Sequence, residues 1–163
     1  MIYFKYDLII RFSDVFSVGQ WQNFIDINFD SEVYSLFQRL PGVMMSSKAE
    51  TTQKMNKYAF NSWCKWTNSH SLSPLPATQL HVSLYLIKLS DSAKSVSKID
   101  EAFYAISWAH KLARYSDPCK TDLVVSVREG IHRRIGHSVV KKDPITPEIL
   151  QKIVDQFGTI QIV

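Results

Sequence analysis

Apolar residues recur at helical spacing between residues 46 and 137. Four segments in this stretch each carry an apolar stripe with a period of three to four residues, which is typical of amphipathic helices. The connectors between them are short and rich in turn-forming residues, and short connectors favour antiparallel neighbours. The pattern therefore predicts an all-α, four-helix bundle. Its expected core contains Met55, Trp63, Leu84, Phe103, Ile106, Val127 and Ile131.

Capping residues and helix breakers predict where the four helices begin and end. The helices are expected to start at Ser46-Ser47, after Pro76, at Ser95 and after Asp117-Pro118. Residues 77–89 also contain an alternating apolar pattern, so a strand is an alternative there, although the length of the segment favours a helix. Gly136 is expected to end the fourth helix. Gly130, within that helix, indicates close packing against a neighbour.

The flanking segments are less regular. Residues 1–30 have no clear period, and their aromatic and branched residues give a weak indication of a short strand. A short helix is predicted over residues 31–40, ended by Pro41-Gly42. Thr146-Pro147-Glu148 predicts another helix start, with a cap, a proline at the first position and an acid in the first turn. The expected organisation is an irregular extension (1–45), the helical domain (46–137), and a basic linker with one further helix (138–163).

Positive charge is concentrated in the middle of the chain. The net charge of the 163 residues is +4. Residues 46–93 carry five basic and two acidic groups, and residues 94–142 carry ten basic and five acidic groups, whereas both flanks are net acidic. This distribution favours an anionic partner such as nucleic acid, although a solvated basic surface is the alternative.

Several other classes of function find little support. The two cysteines and five histidines form no set with metal-ligand spacing, so no cofactor or metal is expected. The thiols fit a reduced, intracellular protein as buried apolar side chains. His110 falls in a core stripe and is interpreted as a buried histidine with satisfied hydrogen bonds. No membrane span or secretory signal peptide is predicted, and no small-molecule substrate is expected.

The order of these features resembles a known family. An aromatic helix with Trp63 and Trp66 precedes a short apolar helix that ends in Tyr85-Leu86-Ile87-Lys88-Leu89-Ser90. A long helix then contains Tyr104-Ala105-Ile106-Ser107-Trp108-Ala109-His110, and the later segments read Val127-Arg128-Glu129-Gly130 and Ile145-Thr146-Pro147-Glu148-Ile149-Leu150. Over residues 40–157 this order is similar to the core-binding, SAM-like domain of the tyrosine recombinases, the phage integrase family, most of all its animal mobile-element type.

The resemblance implies that the chain binds duplex DNA and has no catalytic activity of its own. Members of the family hold DNA between this helical domain and a catalytic domain. The catalytic arginine, the basic and histidine cluster and the tyrosine nucleophile would lie beyond the position that matches Val163, so no tyrosine here is assigned as nucleophile. The resemblance further implies a nuclear protein whose partners are duplex DNA and other recombinase protomers.

The resemblance places DNA at the starts of the first and third helices of the domain. Lysines and hydroxyl groups at helix starts are suitable phosphate ligands, because helix N-termini add unpaired N–H groups. The candidates at the first start are Lys48, Thr51, Thr52 and Lys54. Those at the third start are Lys94, Ser95, Ser97 and Lys98, and those in the last helix and the linker are Arg133, Arg134, His137, Lys141 and Lys142.

Simpler roles remain open for these residues. The serines could only cap helices, and Arg133 and Arg134 could only complement a helix C-terminus. A protein-interaction module derived from such a domain is the alternative function. Asp91, Asp100 and Glu101 would favour that alternative, because carboxylates near the third helix start oppose phosphate. A salt titration of duplex binding separates the two functions.

Overall fold

The computed structural model describes residues 12–24, 30–136 and 146–157. Over these residues the protein is all-α, as predicted. The elements, in chain order, are the 3-10 helices η1 (Phe12–Phe16) and η2 (Gly19–Phe24), then α1 (Ser31–Met45), α2 (Glu50–Ser69), α3 (Gln79–Ser90), α4 (Ser97–Leu112), η3 (Pro118–Lys120), α5 (Asp122–Ile135) and α6 (Pro147–Phe157).

Helix α4 is the centre of the bundle. It packs against α2 on one side and against α3 on another, while α3 also packs against α5. Half of the residues of α4 are buried because apolar side chains occupy two of its faces. A helix that is apolar on two faces is typically central in its bundle.

The predicted core is only partly confirmed. Trp63, Ile106 and Ile131 are buried, and Phe103 and Val127 pack against the core with part of their surface exposed. Met55 and Leu84 were wrongly assigned to the core, since their exposed fractions are 56 % and 46 %. Each lies on a helix whose buried face differs from the predicted one.

The buried face of α2 is rotated relative to the prediction because polar residues contribute to it. Asn56 and Thr67 are buried together with Phe60, whereas Met55, which was predicted to be buried, is exposed. The Thr67 hydroxyl lies 3.1 Å from the Trp63 carbonyl and 3.0 Å from the Cys64 carbonyl. Because the hydroxyl bonds within its own helix, its burial leaves no donor unpaired. Apolar spacing alone could not reveal such a face.

Helix α3 is confirmed as a helix rather than a strand. It is apolar on almost every side, so the sequence could not indicate which side faces the core. Tyr85 decides the orientation, with its ring centroid 5.1 Å from those of both Trp63 and Trp66. With Ser83 and Tyr85 on the buried side of the helix, Leu84 is exposed.

Several predicted boundaries differ from the structure. Helix α1 continues through Pro41 to Met45 rather than ending at Pro41-Gly42. Proline removes one N–H donor from a helix, and the packing of Met44 and Met45 against the core holds the last turn of α1 in place. Ser46 consequently ends α1 instead of starting α2, which has Ala49 at its N-cap.

The later boundaries also shift. Helix α4 begins at Ser97 rather than Ser95. Asp117 caps the short η3 by accepting a hydrogen bond from the Cys119 N–H, and α5 begins separately at Asp122. The end of α5 before Gly136 and the start of α6 at Pro147 are as predicted. Gly130 does not mark close packing, because a Cβ there would meet no atom within 4 Å.

Residues 12–24 pack onto the helical bundle, which the sequence pattern did not indicate. Phe12 and Val15 belong to the core, with the Phe12 ring stacked on Trp108 at 5.0 Å. The Trp21 indole N–H donates a hydrogen bond of 2.7 Å to the Leu112 carbonyl at the end of α4. The weak strand prediction finds no support here, since residues 12–16 form η1; residues 1–11 lie outside the described residues.

His110 is the buried histidine that its position in the core stripe indicated. Its Nε2 accepts the Ala77 N–H at 2.8 Å, so Nδ1 carries the proton and donates to the Ile106 carbonyl, also at 2.8 Å. Burial lowers the pKa of His110 below its ordinary value of 6.5. The neutral ring therefore links α4 to the start of α3.

Candidate nucleic-acid interface

The N-terminal ends of α2 and α4 lie side by side. The Phe12 ring contacts both Phe60 on α2 and Trp108 on α4, so Phe60 and Trp108 lie close to each other in the bundle. Towards the helix starts, Thr52 on α2 and Ser97 on α4 line the same groove. The first turns of both helices therefore border one groove.

The groove between these helices has a volume of about 920 Å³. Lys48, Thr52 and Ser97, which the sequence predicted as site residues, line it. Thr51, Lys54, Lys94, Ser95 and Lys98 are exposed and lie within a few residues of the lining positions. We call the set at the two helix starts the N-terminal cluster, comprising Lys48, Thr51, Thr52, Lys54, Lys94, Ser95, Ser97 and Lys98.

Neither helix start in this cluster is capped by a side chain. Ala49 and Val96 occupy the N-cap positions of α2 and α4, and neither makes a side-chain cap hydrogen bond. The first N–H groups of a helix have no partner within the helix, and they carry a partial positive charge. Two such ends beside several lysines form a surface that is electrostatically suited to an anion.

Two lysines of the cluster make ion pairs within their own helices. Lys54 Nζ lies 2.7 Å from a Glu50 carboxylate oxygen, and Lys98 Nζ lies 3.7 Å from Glu101. Both lysine side chains are about two-thirds or more exposed, at 74 % and 66 %. Exposed pairs of this kind contribute only about 0–1 kcal/mol. A phosphate could displace either carboxylate at low cost.

The Asp100 carboxylate, expected to oppose phosphate, is instead bound by α5. Its Oδ1 accepts a hydrogen bond from Arg128 Nε at 2.8 Å. The same oxygen forms an ion pair with Arg128 Nη2 at 2.7 Å and lies 2.8 Å from His132 Nε2. The Arg128 guanidinium also lies 4.7 Å from the centre of the Phe103 ring. The positive charge of Arg128 offsets the negative charge of Asp100 in the wall of the groove. The spacing of four residues between Arg128 and His132 was the available sequence signal for this contact.

The remaining predicted site residues lie elsewhere. Arg133 and Arg134 are exposed in the last turn of α5, and Arg134 lines a small depression with Ser90 rather than the groove. His137, Lys141 and Lys142 lie outside the described residues. The structure therefore brings together the candidates on α2 and α4, and it does not bring Arg133 or Arg134 into the same groove.

Two cysteines and one tyrosine among the described residues are buried and have raised pKa values. Burial raises the pKa of the Cys64 thiol to about 12 and raises that of Cys119 further. Tyr85, buried against two tryptophans, has a pKa raised to about 12 by the same cause. A thiol or phenol that stays protonated at neutral pH is a poor nucleophile.

Comparison with known proteins points to recombinases. The chain is 30 % identical over 114 residues to an integrase/recombinase xerD homolog of Selenomonas ruminantium. This similarity supports a relationship to the recombinases. The aligned part is 68 % of this chain and 33 % of the relative, so the chain spans about a third of the length of that protein. No protein-family model matches the chain.

Metal sites and membrane spans are not found in the described part of the chain. Residues 12–24, 30–136 and 146–157 contain no group of three or more histidine, cysteine or carboxylate side chains placed to hold a metal ion. None of the helices in these ranges has the length and apolar character needed to cross a membrane.

Proposed function

We propose that this chain is the DNA-binding module of a tyrosine recombinase-like protein, and that it contacts the phosphates of duplex DNA through the N-terminal cluster. The observation that carries the proposal is that the starts of α2 and α4 share one groove. Lysines, hydroxyl groups and uncapped helix N-termini meet there. The similarity to an integrase/recombinase is an independent line of support.

Phosphate contacts would give the module its affinity but little sequence preference. Lysines and backbone N–H groups read the charge of the DNA backbone rather than the edges of the bases. Binding of one domain alone is expected to be weak, since a clamp with two domains gains avidity that one domain lacks. A mobile-element origin, a nuclear location and contacts with other protomers belong to this proposal as well.

We further propose that the chain acts by binding and not by cutting DNA. Support comes from the raised pKa values of the buried thiols and Tyr85 and from the neutral, fully hydrogen-bonded His110. Incubation with a nicked suicide duplex should give no covalent protein–DNA adduct. An adduct that disappears when one tyrosine is changed to phenylalanine would refute this part of the proposal.

The test of DNA binding is a salt titration with charge variants. Fluorescence anisotropy with a 20-base-pair duplex would compare the wild-type chain with Lys48→Ala/Lys94→Ala/Lys98→Ala. Each lost phosphate contact should flatten the slope of log affinity against log salt by about 0.9, and three contacts by about 2.7. Affinity for unrelated duplexes should fall equally.

The matched control removes the same charge elsewhere. Lys65, Lys88 and Lys152 are exposed and do not line the groove. Their triple alanine variant should keep the wild-type slope. An equal loss of affinity in both variants would mean that only diffuse charge attracts DNA. Absence of salt-dependent binding by the wild-type chain would refute the proposal.

A protein-interaction module is the second candidate, and exposed apolar side chains favour it. Helix α6 exposes a group of branched side chains at helical spacing, and α1 exposes another. These are Ile149, Leu150, Ile153 and Val154 on α6, and Val33, Leu36, Leu40 and Val43 on α1. If the wild-type chain fails to bind duplex DNA and associates in solution, this candidate replaces the first.

A further inference from the structure

We infer that a second group of cations, at the C-terminal end of α4, forms a phosphate-binding surface that continues the groove. We call this group the distal patch; it consists of Lys111, Arg114 and Lys120. The inference rests on the proposed function, because its ligand would be the backbone of the same DNA. These three residues are among the ten basic groups of residues 94–142, but the sequence analysis did not single them out as candidates.

The distal patch lies in a depression that joins the groove. The depression has a volume of about 840 Å³ and contains all three cations together with the hydroxyl groups of Ser116 and Thr121. Ser107 and Lys111 line both the depression and the groove, so the two are continuous along one face of α4. From Ser97 to Lys111 this face is about 21 Å long at 1.5 Å per residue. A DNA strand presents a phosphate about every 3.4 Å of axis, so on the order of six would pass along it.

The cations of the patch are not neutralised by nearby carboxylates. Within the described ranges, none of the three lies within 4 Å of a carboxylate oxygen. Asp117, the acidic residue in the depression, has both oxygens engaged. Oδ2 accepts the Ser107 hydroxyl at 2.6 Å, and Oδ1 accepts the Cys119 N–H at 3.0 Å. The depression therefore has a net positive charge.

A simpler role for these cations would be to stabilise the C-terminus of α4, where carbonyl groups lack helical partners. Those carbonyls are already bonded. The Tyr115 N–H donates to the His110 carbonyl at 2.9 Å and the Arg114 N–H to the Lys111 carbonyl at 3.2 Å. Trp21 supplies the donor for Leu112. Lys120, moreover, comes from η3 and not from the helix.

The backbone of Arg114 gives independent support. Its φ of +58° is in the left-handed region, which glycine adopts at much lower cost. An arginine at this position has a conformational cost, part of which the backbone hydrogen bonds of the turn offset. Gln20 on η2 orients that side chain, since Arg114 Nε donates to Gln20 Oε1 at 3.3 Å. Residues 12–24 thus hold one side of the patch in place.

The test compares Lys111→Ala/Arg114→Gly/Lys120→Ala with the N-terminal cluster variant in the same anisotropy titrations. Glycine is chosen at position 114 because it suits the backbone and keeps the fold. The loss of three contacts should flatten the slope of log affinity against log salt by about 2.7. Between 50 and 200 mM salt, the wild-type chain should therefore lose about 40-fold more affinity than the variant. Circular dichroism melts verify that each variant is folded.

The outcomes separate this inference from the proposed function. If the N-terminal cluster variant loses affinity while the distal variant keeps the slope of the Lys65, Lys88 and Lys152 control, the patch does not bind DNA and the inference is wrong. If the wild-type chain shows no salt-dependent duplex binding, the proposed function itself is wrong. Labelled poly-glutamate serves as the probe for an acidic polypeptide. If the distal variant loses only poly-glutamate binding, the patch binds protein and the inference is overturned.

Discussion

Trp21 offers the most direct test of whether residues 12–24 are part of the fold. The side chain is 4 % exposed, and its indole N–H donates 2.7 Å to the Leu112 carbonyl. Its ring also lies 5.6 Å from that of Phe16 and 6.3 Å from that of Phe37. Two substitutions divide these contributions. Trp21→Phe removes the donor and keeps most of the ring, whereas Trp21→Ala removes both.

The expected magnitudes follow from these contacts. Trp21→Phe leaves a buried carbonyl without its partner, which costs about 1–3 kcal/mol of the free energy of unfolding. Trp21→Ala should cost about 3–5 kcal/mol, as for other buried aromatic side chains. Urea unfolding followed by circular dichroism measures both. Gln22→Ala, an exposed neighbour, should change stability by less than about 0.5 kcal/mol. A loss below 1 kcal/mol for Trp21→Ala would show that this segment does not pack on the bundle.

Three further predictions concern the same end of the bundle. The pKa of His110 is lower in the folded chain than its ordinary value of 6.5, so the unfolded chain binds more protons below that pH. The free energy of unfolding should therefore decrease as the pH falls below 6.5, by up to about 1.4 kcal/mol per pH unit. Urea titrations at several pH values measure this dependence, and His110→Gln should lose it. Gly19→Ala should lower the melting temperature and cost at least about 1–2 kcal/mol, because φ is +68° and the new Cβ would collide with the Ala113 carbonyl oxygen; an unchanged melting temperature would contradict the packing of η2. Arg114→Gly should raise the free energy of unfolding by about 1 kcal/mol while weakening DNA binding, and a destabilised variant would refute the strain argued for Arg114.

The sequence predicted the helical class and most of the elements because a period of 3.6 residues depends only on local spacing. It failed where burial depends on hydrogen bonding. Asn56 and Thr67 form part of the buried face of α2, so the spacing of apolar residues alone shifted the predicted face towards Met55. Similarly, no local pattern indicated that η1 and η2 pack on the core, because the contact between Trp21 and α4 spans 91 residues.

The candidate site was predictable in part for a similar reason. Lysines and hydroxyl groups at helix starts are visible in the sequence, but their meeting in one groove depends on the packing of α2 against α4 in the folded chain. The three cations of the distal patch come from α4, the turn after it and η3, and they converge only in the folded chain. The Asp100–Arg128 pair likewise joins residues of α4 and α5 that are 28 positions apart in the sequence.

Nuclear magnetic resonance of the 15N-labelled chain with a 20-base-pair duplex tests the central claim most directly. Backbone amides at residues 48–54 and 94–98 should shift as DNA is added at low salt, with a second set at residues 111–121. Both sets should return to their free positions as salt is raised, because phosphate contacts are released. Shifts confined to α3 and α6, or no shifts at all, would contradict the proposal that the starts of α2 and α4 bind DNA.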